Sequence, residues 1–102
     1  MRIVIRERCR KAIVRFYVHV SRKYRHTYSE HLMLDNIDRA INGMYLVEHT
    51  LLRRRPTMLR WQREGWHMAH AGTWYYAYTG AGDTVTIEDA CHELNMYDEA
   101  RT

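Results

Sequence analysis

The sequence predicts an α+β fold, with two N-terminal helices packed on one face of an antiparallel sheet of three to four strands. Three observations carry this reading. Apolar residues recur at spacings of three and four as far as about Leu51, and a lone proline, Pro56, then interrupts the chain. Beyond Pro56, aromatic and aliphatic residues alternate at period two between short glycine-containing links. A length of 102 residues supports one domain spanning 1–102, and no linker, internal repeat or low-complexity tract divides it.

The stretch "RIVI" (2–5) reads either as a short strand or as the lead into a helix. From about Glu7, Cys9, Ile13, Phe16, Val20 and Tyr24 form one helical stripe, with Arg10, Lys11, Arg15 and Arg22 largely off it. "HTYSE" breaks the pattern and offers Ser29 as the N-cap of a second helix. The stripe of that helix is Met33, Ile37, Ala40, Met44, Val47 and Leu51, with Leu34 and Ile41 beside it. Gly43 lies inside, costs the helix about 1 kcal/mol against alanine, and suggests a close approach by another backbone.

After Pro56 the segments "TMLRWQ", "GWHMAHA", "TWYYAYT" and "TVTIEDACH" all read as strands, joined in a meander. In the last hairpin, Trp74, Tyr76 and Tyr78 share one face, and Gly80-Ala81-Gly82-Asp83 supplies the turn. Packing against the helices is the commoner fate of such an aromatic row; stacking with nucleic-acid bases is the functional alternative. Burial of the row leaves Tyr75 on the open face with Thr86, Glu88 and His92. Strict alternation puts Asp89 and Cys91 on the apolar face of Val85 and Ile87, and a bulge turning Asp89 outward is equally compatible.

Composition narrows the function. An apolar fraction of 46% argues against disorder, and no stretch approaches the roughly 20 apolar residues of a membrane span. Two cysteines, too few for a disulfide framework, and a start that is not a signal peptide make the cytoplasm the expected compartment. Residues 1–25 carry nine Arg or Lys against Glu7 alone, and Arg53, Arg54, Arg55, Arg60 and Arg63 form a second basic group. Residues 83–102 carry six acids against Arg101. Such basic blocks suit a polyanionic partner and are also what a solvated helix face looks like. No phosphate loop, dinucleotide fingerprint or zinc-ligand spacing occurs, so neither a cofactor nor a metal is expected. His67 and His70, three apart on a strand, point to opposite faces and cannot chelate together.

At this point the chain resembles the RelE/ParE superfamily of small bacterial toxins. The resemblance covers most of the chain and rests on helix order, on "GTWYYAY" (72–78) where members show G-x-[YW]-R-[VL]-x-Y, on the turn, and on the "DTVTI" strand with a polar residue near its end. It implies the toxin of a type II toxin–antitoxin system, partnered by an acidic antitoxin. Two styles of action follow: a ribosome-dependent mRNA endonuclease, metal-independent, or a non-catalytic binding protein such as a ParE-like DNA gyrase inhibitor or a toxin-fold adaptor. For the nuclease style the resemblance implies His92 as acid or base and His67 and Tyr97 as substrate-positioning groups, with Arg63 and Arg60 of the preceding segment as phosphate clamps in place of the family's missing basic groups. Arg53, Arg54, Arg55, Arg60, Lys11 and Tyr75 are the expected nucleic-acid contacts. Two departures weigh against cleavage: the motif arginine is Tyr75 here, and the tail "HELNMYDEA" is acidic where members are basic.

Overall fold

The structure, a computed structural model, describes residues 2–46, 56 and 58–100. Strand β1 (Arg2–Ile5) leads directly into α1 (Glu7–Lys23), and α2 (Glu30–Leu46) follows. After a short α3 (Leu59–Glu64) come β2 (His67–Ala71), β3 (Trp74–Ala81), β4 (Thr84–His92) and α4 (Glu93–Ala100). The predicted α+β architecture is present: α1 and α2 lie on one face of a four-stranded sheet of order β1-β4-β3-β2.

The sheet is mixed, because β1 pairs parallel to β4 while β2, β3 and β4 are antiparallel. Hydrogen bonds from the Arg2 amide to the Asp83 carbonyl (2.8 Å) and from the Arg6 amide to the Ile87 carbonyl (3.0 Å) bound this pairing. Thus "RIVI" is a strand, although four residues with one charged end carry little signal of direction.

The helices form where predicted, but the stripes hold only in part: Tyr24, placed on the α1 stripe, and Leu34, placed beside that of α2, are half exposed, while Tyr17, left off the stripe, is buried. In α1 the fully enclosed residues are Cys9, Ile13 and Tyr17, with Phe16 half-buried beside them. In α2, Ser29 Oγ accepts from the Leu32 amide at 3.1 Å, satisfying an amide of the first turn, and Ile37, Ala40, Gly43 and Met44 are buried. Val47 and Leu51 of that stripe lie outside the described residues. Trp74, Tyr76 and Tyr78 pack beneath both helices, and their polar tips find partners there. Trp74 Nε1 donates to the Tyr17 hydroxyl (3.0 Å), and the Tyr76 hydroxyl donates to the Ala40 carbonyl (2.7 Å).

Two parts of the strand reading after Pro56 are corrected. The segment "TMLRWQ" contains a helical turn, α3, whose side chains lack the β-branching that favours strands. Gly65, at φ 72°, ends it in the left-handed region, and its amide together with that of Trp66 closes the last turn. Residues 93–100 are likewise helical. The α3 segment makes the second face of the sheet a core as well, with Met58, Trp61, Met68, Ala77 and Cys91 buried together and Tyr75 and Met96 against them.

The alternation in β4 also breaks. Tyr78 pairs with Ile87 and Ala77 with Asp89, so Glu88 is an extra residue, a β-bulge. Val85 and Ile87 face the helices, as do Ala90 and His92 beyond the bulge. Cys91, expected with Val85 and Ile87, is turned into the second core, and Asp89 with it. His92, expected on the open face beside Tyr75, instead points at α1.

The close approach at Gly43 is made by a side chain and not by a backbone: a β-carbon there would stand 3.2 Å from the Tyr76 hydroxyl. Gly43→Ala is therefore expected to destabilise the wild-type chain. In a Tyr76→Phe background the same change should stabilise by up to about 1 kcal/mol, the helix-propensity gain. Urea unfolding of the four proteins measures the coupling, and strictly additive effects would show that the two positions do not interact.

Candidate functional site

Beyond Ile87, β1 no longer covers β4, and a groove of ≈ 750 Å³ opens along the uncovered part of the strand. One wall is α1. Its Lys11, Arg15 and His19 recur every four residues on an exposed row, immediately beside the Ala12–Phe16 row that also lines the groove. The opposite wall is α3 and its exit, with Arg60, Glu64 and Trp66. The floor is β4 from Asp89 to His92, closed at one end by Trp74 and Asn95.

The carboxylates on this strand are engaged. Asp89 accepts from Trp61 Nε1 (2.9 Å) and from the Ala90 amide (2.9 Å), and it pairs with Arg60 (3.1 Å). Glu88 receives Arg6 Nε at 3.1 Å and an Arg8 guanidinium nitrogen at 3.4 Å on one oxygen, and Thr79 Oγ1 at 2.9 Å on the other. Burial pushes the Glu88 pKa up, but the hydrogen bonds from Thr79 and Arg6 and the charges of Arg6 and Arg8 outweigh it, leaving the carboxyl below its ordinary range. Arg8 also donates through Nε to the Glu88 carbonyl and lies over the Trp66 ring, 5.0 Å from its centre. Lys11 and Arg15 make no ion pair among the described residues, so the α1 wall is net positive.

His92 is the titratable group at the floor. Its ring stacks on Phe16 (centroids 4.2 Å apart, planes at 14°) and meets Trp74 edge-on at 5.3 Å. It is only 8% exposed, and this burial lowers its pKa against an opposing effect of Glu93, so the ring is neutral near pH 7. Nδ1 accepts from the Leu94 amide at 3.2 Å, which makes the imidazole the N-cap of α4.

Of the residues expected to act, the structure brings Lys11, Arg60 and His92 to this groove. His67 does not join them: it pairs with Tyr78 at the far end of β3, four residues or roughly 13 Å along the sheet from Trp74, the partner of His92. Arg63 is exposed on α3 outside the groove, and Tyr75 packs in the second core with its ring 4.6 Å from that of His70. Tyr97 belongs to α4, with its side chain outside the described residues, as are Arg53, Arg54 and Arg55. Sequence reasoning passed over Arg8, Arg15, His19, Phe16 and Trp66 as site residues. The four-residue recurrence of Lys11, Arg15 and His19 was the available signal. Cys9 and Cys91 offer no nucleophile: both are buried, and burial pushes the Cys9 thiol up to about 12.

No family model matches the chain, and neither the curated proteins nor the solved structures give a significant match. Among the described residues no helix is long and apolar enough to cross a membrane.

The protonation states predict a stepped acid response. His92 is held neutral below its ordinary 6.5, so the unfolded chain takes up a proton first. Its contribution is complete above about pH 6.5 and falls as the pH drops toward the folded value. Glu88, lowered from 4.5, contributes fully above that value and is lost as the pH falls through its folded pKa. Melting temperatures taken from about pH 8 to about pH 3.5 should show both losses. His92→Asn, which keeps an N-cap side chain, should erase the upper step and leave the lower; persistence of both in that variant would remove His92 as the cause.

Proposed function

We propose that this protein is the toxin component of a bacterial type II toxin–antitoxin system, of the RelE/ParE kind, acting on RNA held in the α1–β4 groove. The observation that carries the proposal is the pairing pattern in the groove: Asp89 on the floor is occupied by Trp61 and Arg60, while Lys11 and Arg15 on the α1 wall make no ion pair among the described residues. A phosphate backbone along that wall would meet Lys11, Arg15 and His19 in turn, with the Arg8 guanidinium over Trp66 beside them. The N-terminal excess of positive charge also suits an acidic antitoxin in the cytoplasm.

In the endonuclease form of this reading, a base takes the proton of a 2′-hydroxyl, which attacks the adjacent phosphorus. The leaving 5′ oxygen takes a proton from an acid, and the cations stabilise the charged phosphorane. The groove offers cations readily. Proton acceptors are fewer, because Glu88 and Asp89 are occupied and His92 uses Nδ1 as a cap, leaving His19 and Glu64. That scarcity favours a second reading, a non-catalytic binding protein of the gyrase-inhibitor or adaptor type.

The test pairs primer extension on a reporter mRNA, in a purified translation system, with binding of a single-stranded RNA. Wild type is compared with the exposed-site double variant Lys11→Glu/Arg15→Glu. Codon-phased cuts lost in the variant support the nuclease form. Binding without cuts, with a salt slope reduced by about one per cation removed, supports a non-catalytic RNA-binding inhibitor. Neither cuts nor RNA binding by wild type would overturn the proposal and turn attention to gyrase or a protein target.

A further inference from the structure

His92 combines three features that a capping residue alone does not require. Its ring is 8% exposed, it is clamped face-on by Phe16 and edge-on by Trp74, and it lines the basic groove. Its one hydrogen bond among the described residues uses Nδ1 as acceptor from the Leu94 amide. The neutral ring must then carry its proton on Nε2. Among the described residues no enclosed side-chain nitrogen lacks a partner, so Nε2 keeps accessible surface, and His92 is one of the residues that line the groove. The result is an N–H donor on a ring held in place by Phe16 and the α4 cap, on a residue that lines the same cavity as Lys11 and Arg15.

We propose that His92 Nε2–H, Lys11 and Arg15 form a phosphate-binding subsite in which the imidazole acts as a neutral donor and not as a proton-transfer group. This rests on the reading of the groove as an RNA site and names the contact that a phosphodiester makes there. Two lysine or arginine charges supply long-range attraction, and the imidazole supplies direction. A neutral imidazole donor has a distinctive consequence. An imidazolium site loses anion affinity as the pH rises through its pKa, whereas this one keeps its donor at every pH above that point.

The charged surroundings are consistent with that behaviour. From α1 the groove presents Arg8, Lys11, Arg15 and His19, and from α3 Arg60 and Glu64. Asp89 belongs to the same strand as His92 and is engaged by Trp61 and Arg60, while Glu93 begins α4. The α1 cations oppose a further positive charge on the ring, and protonation at Nδ1 would remove the cap on the Leu94 amide.

Long-range proton–nitrogen spectra of the imidazoles at about pH 7.5, during titration with inorganic phosphate and separately with a short oligouridylate, test the subsite. The expected result is an Nε2–H tautomer for His92 whose Nε2 resonance moves with phosphate, and moves less in Lys11→Ala/Arg15→Ala. His92→Asn keeps an N-cap side chain but is too short to place an N–H at the Nε2 position; it should weaken oligouridylate binding about tenfold with helix content unchanged. In a His19→Gln background, which removes the other imidazole of the groove, affinity should vary by less than about twofold between pH 6.5 and 8. An Nδ1–H tautomer, an imidazolium at pH 7.5, or an Nε2 resonance that ignores phosphate would overturn the subsite. A phosphate response without oligouridylate binding would uphold the subsite and overturn the RNA reading instead.

Discussion

A single extra residue in β4, Glu88, sets the geometry of everything downstream of it. Its carboxylate is 8% exposed as a residue, yet it is held by Thr79 from β3 and by Arg6 and Arg8 from the β1–α1 junction. A buried carboxylate is stable only when its oxygens are satisfied, so the three partners and the bulge require one another. The bulge brings the carboxylate toward Thr79, and the arginines tie the start of α1 to the middle of the sheet. Because the side-chain period of a strand is two, one inserted residue exchanges the faces of all residues beyond it. Ala90 and His92 therefore join the helix-side core, and Asp89 and Cys91 join the core beneath α3.

The same insertion governs the uncovered edge of β4. Two backbone groups of this part of the strand meet side chains: Arg8 Nε donates to the Glu88 carbonyl, and Asp89 Oδ1 accepts from the Ala90 amide. An edge with its polar groups taken in this way is a poor template for a further strand. A ligand in the groove thus meets the α1 cations, the aromatic rings and His92, rather than a ladder of strand hydrogen bonds. The two engaged acids matter as much as the exposed bases, because unpaired carboxylates on the floor would have repelled a phosphate.

Periodicity made most of the fold legible. The inner positions of the α1 and α2 stripes, the Ser29 cap and the aromatic row of β3 follow from spacing, though Tyr17 was missed and Tyr24 and Leu34 lie exposed; Gly43 marked a close approach, made by the Tyr76 side chain rather than by a backbone. What was not legible shares a cause. A six-residue helix such as α3 is shorter than two turns and leaves no helical period to detect, and Trp61 and Leu59 resemble alternating strand residues. A bulge leaves no mark in an alternating pattern except where it is placed, so Asp89 and Cys91 went to the wrong face. The site suffered accordingly: His92 was identified as a site candidate but assigned to the open side of the sheet, and His67 was grouped with it although the register separates them.

The role of His92 follows from which nitrogen the fold has already used. A histidine at the end of a strand, beside basic residues, invites assignment as an acid or base. Here the imidazole stacks on Phe16 and caps α4 through Nδ1, and burial disfavours its charged form. To act as a base it would need a lone pair on the groove side, where the neutral ring carries its proton. To act as a strong acid it would have to hold a second proton at Nδ1, against the Leu94 amide. Neither state is the one the packing stabilises. The group that the fold presents is a fixed donor, suited to an anion and not to proton transfer. If the groove does cleave RNA, His19 and Glu64 are the acceptors that remain on its walls among the described residues. If it does not, the same donor and the same cations suffice to hold a phosphate backbone in place.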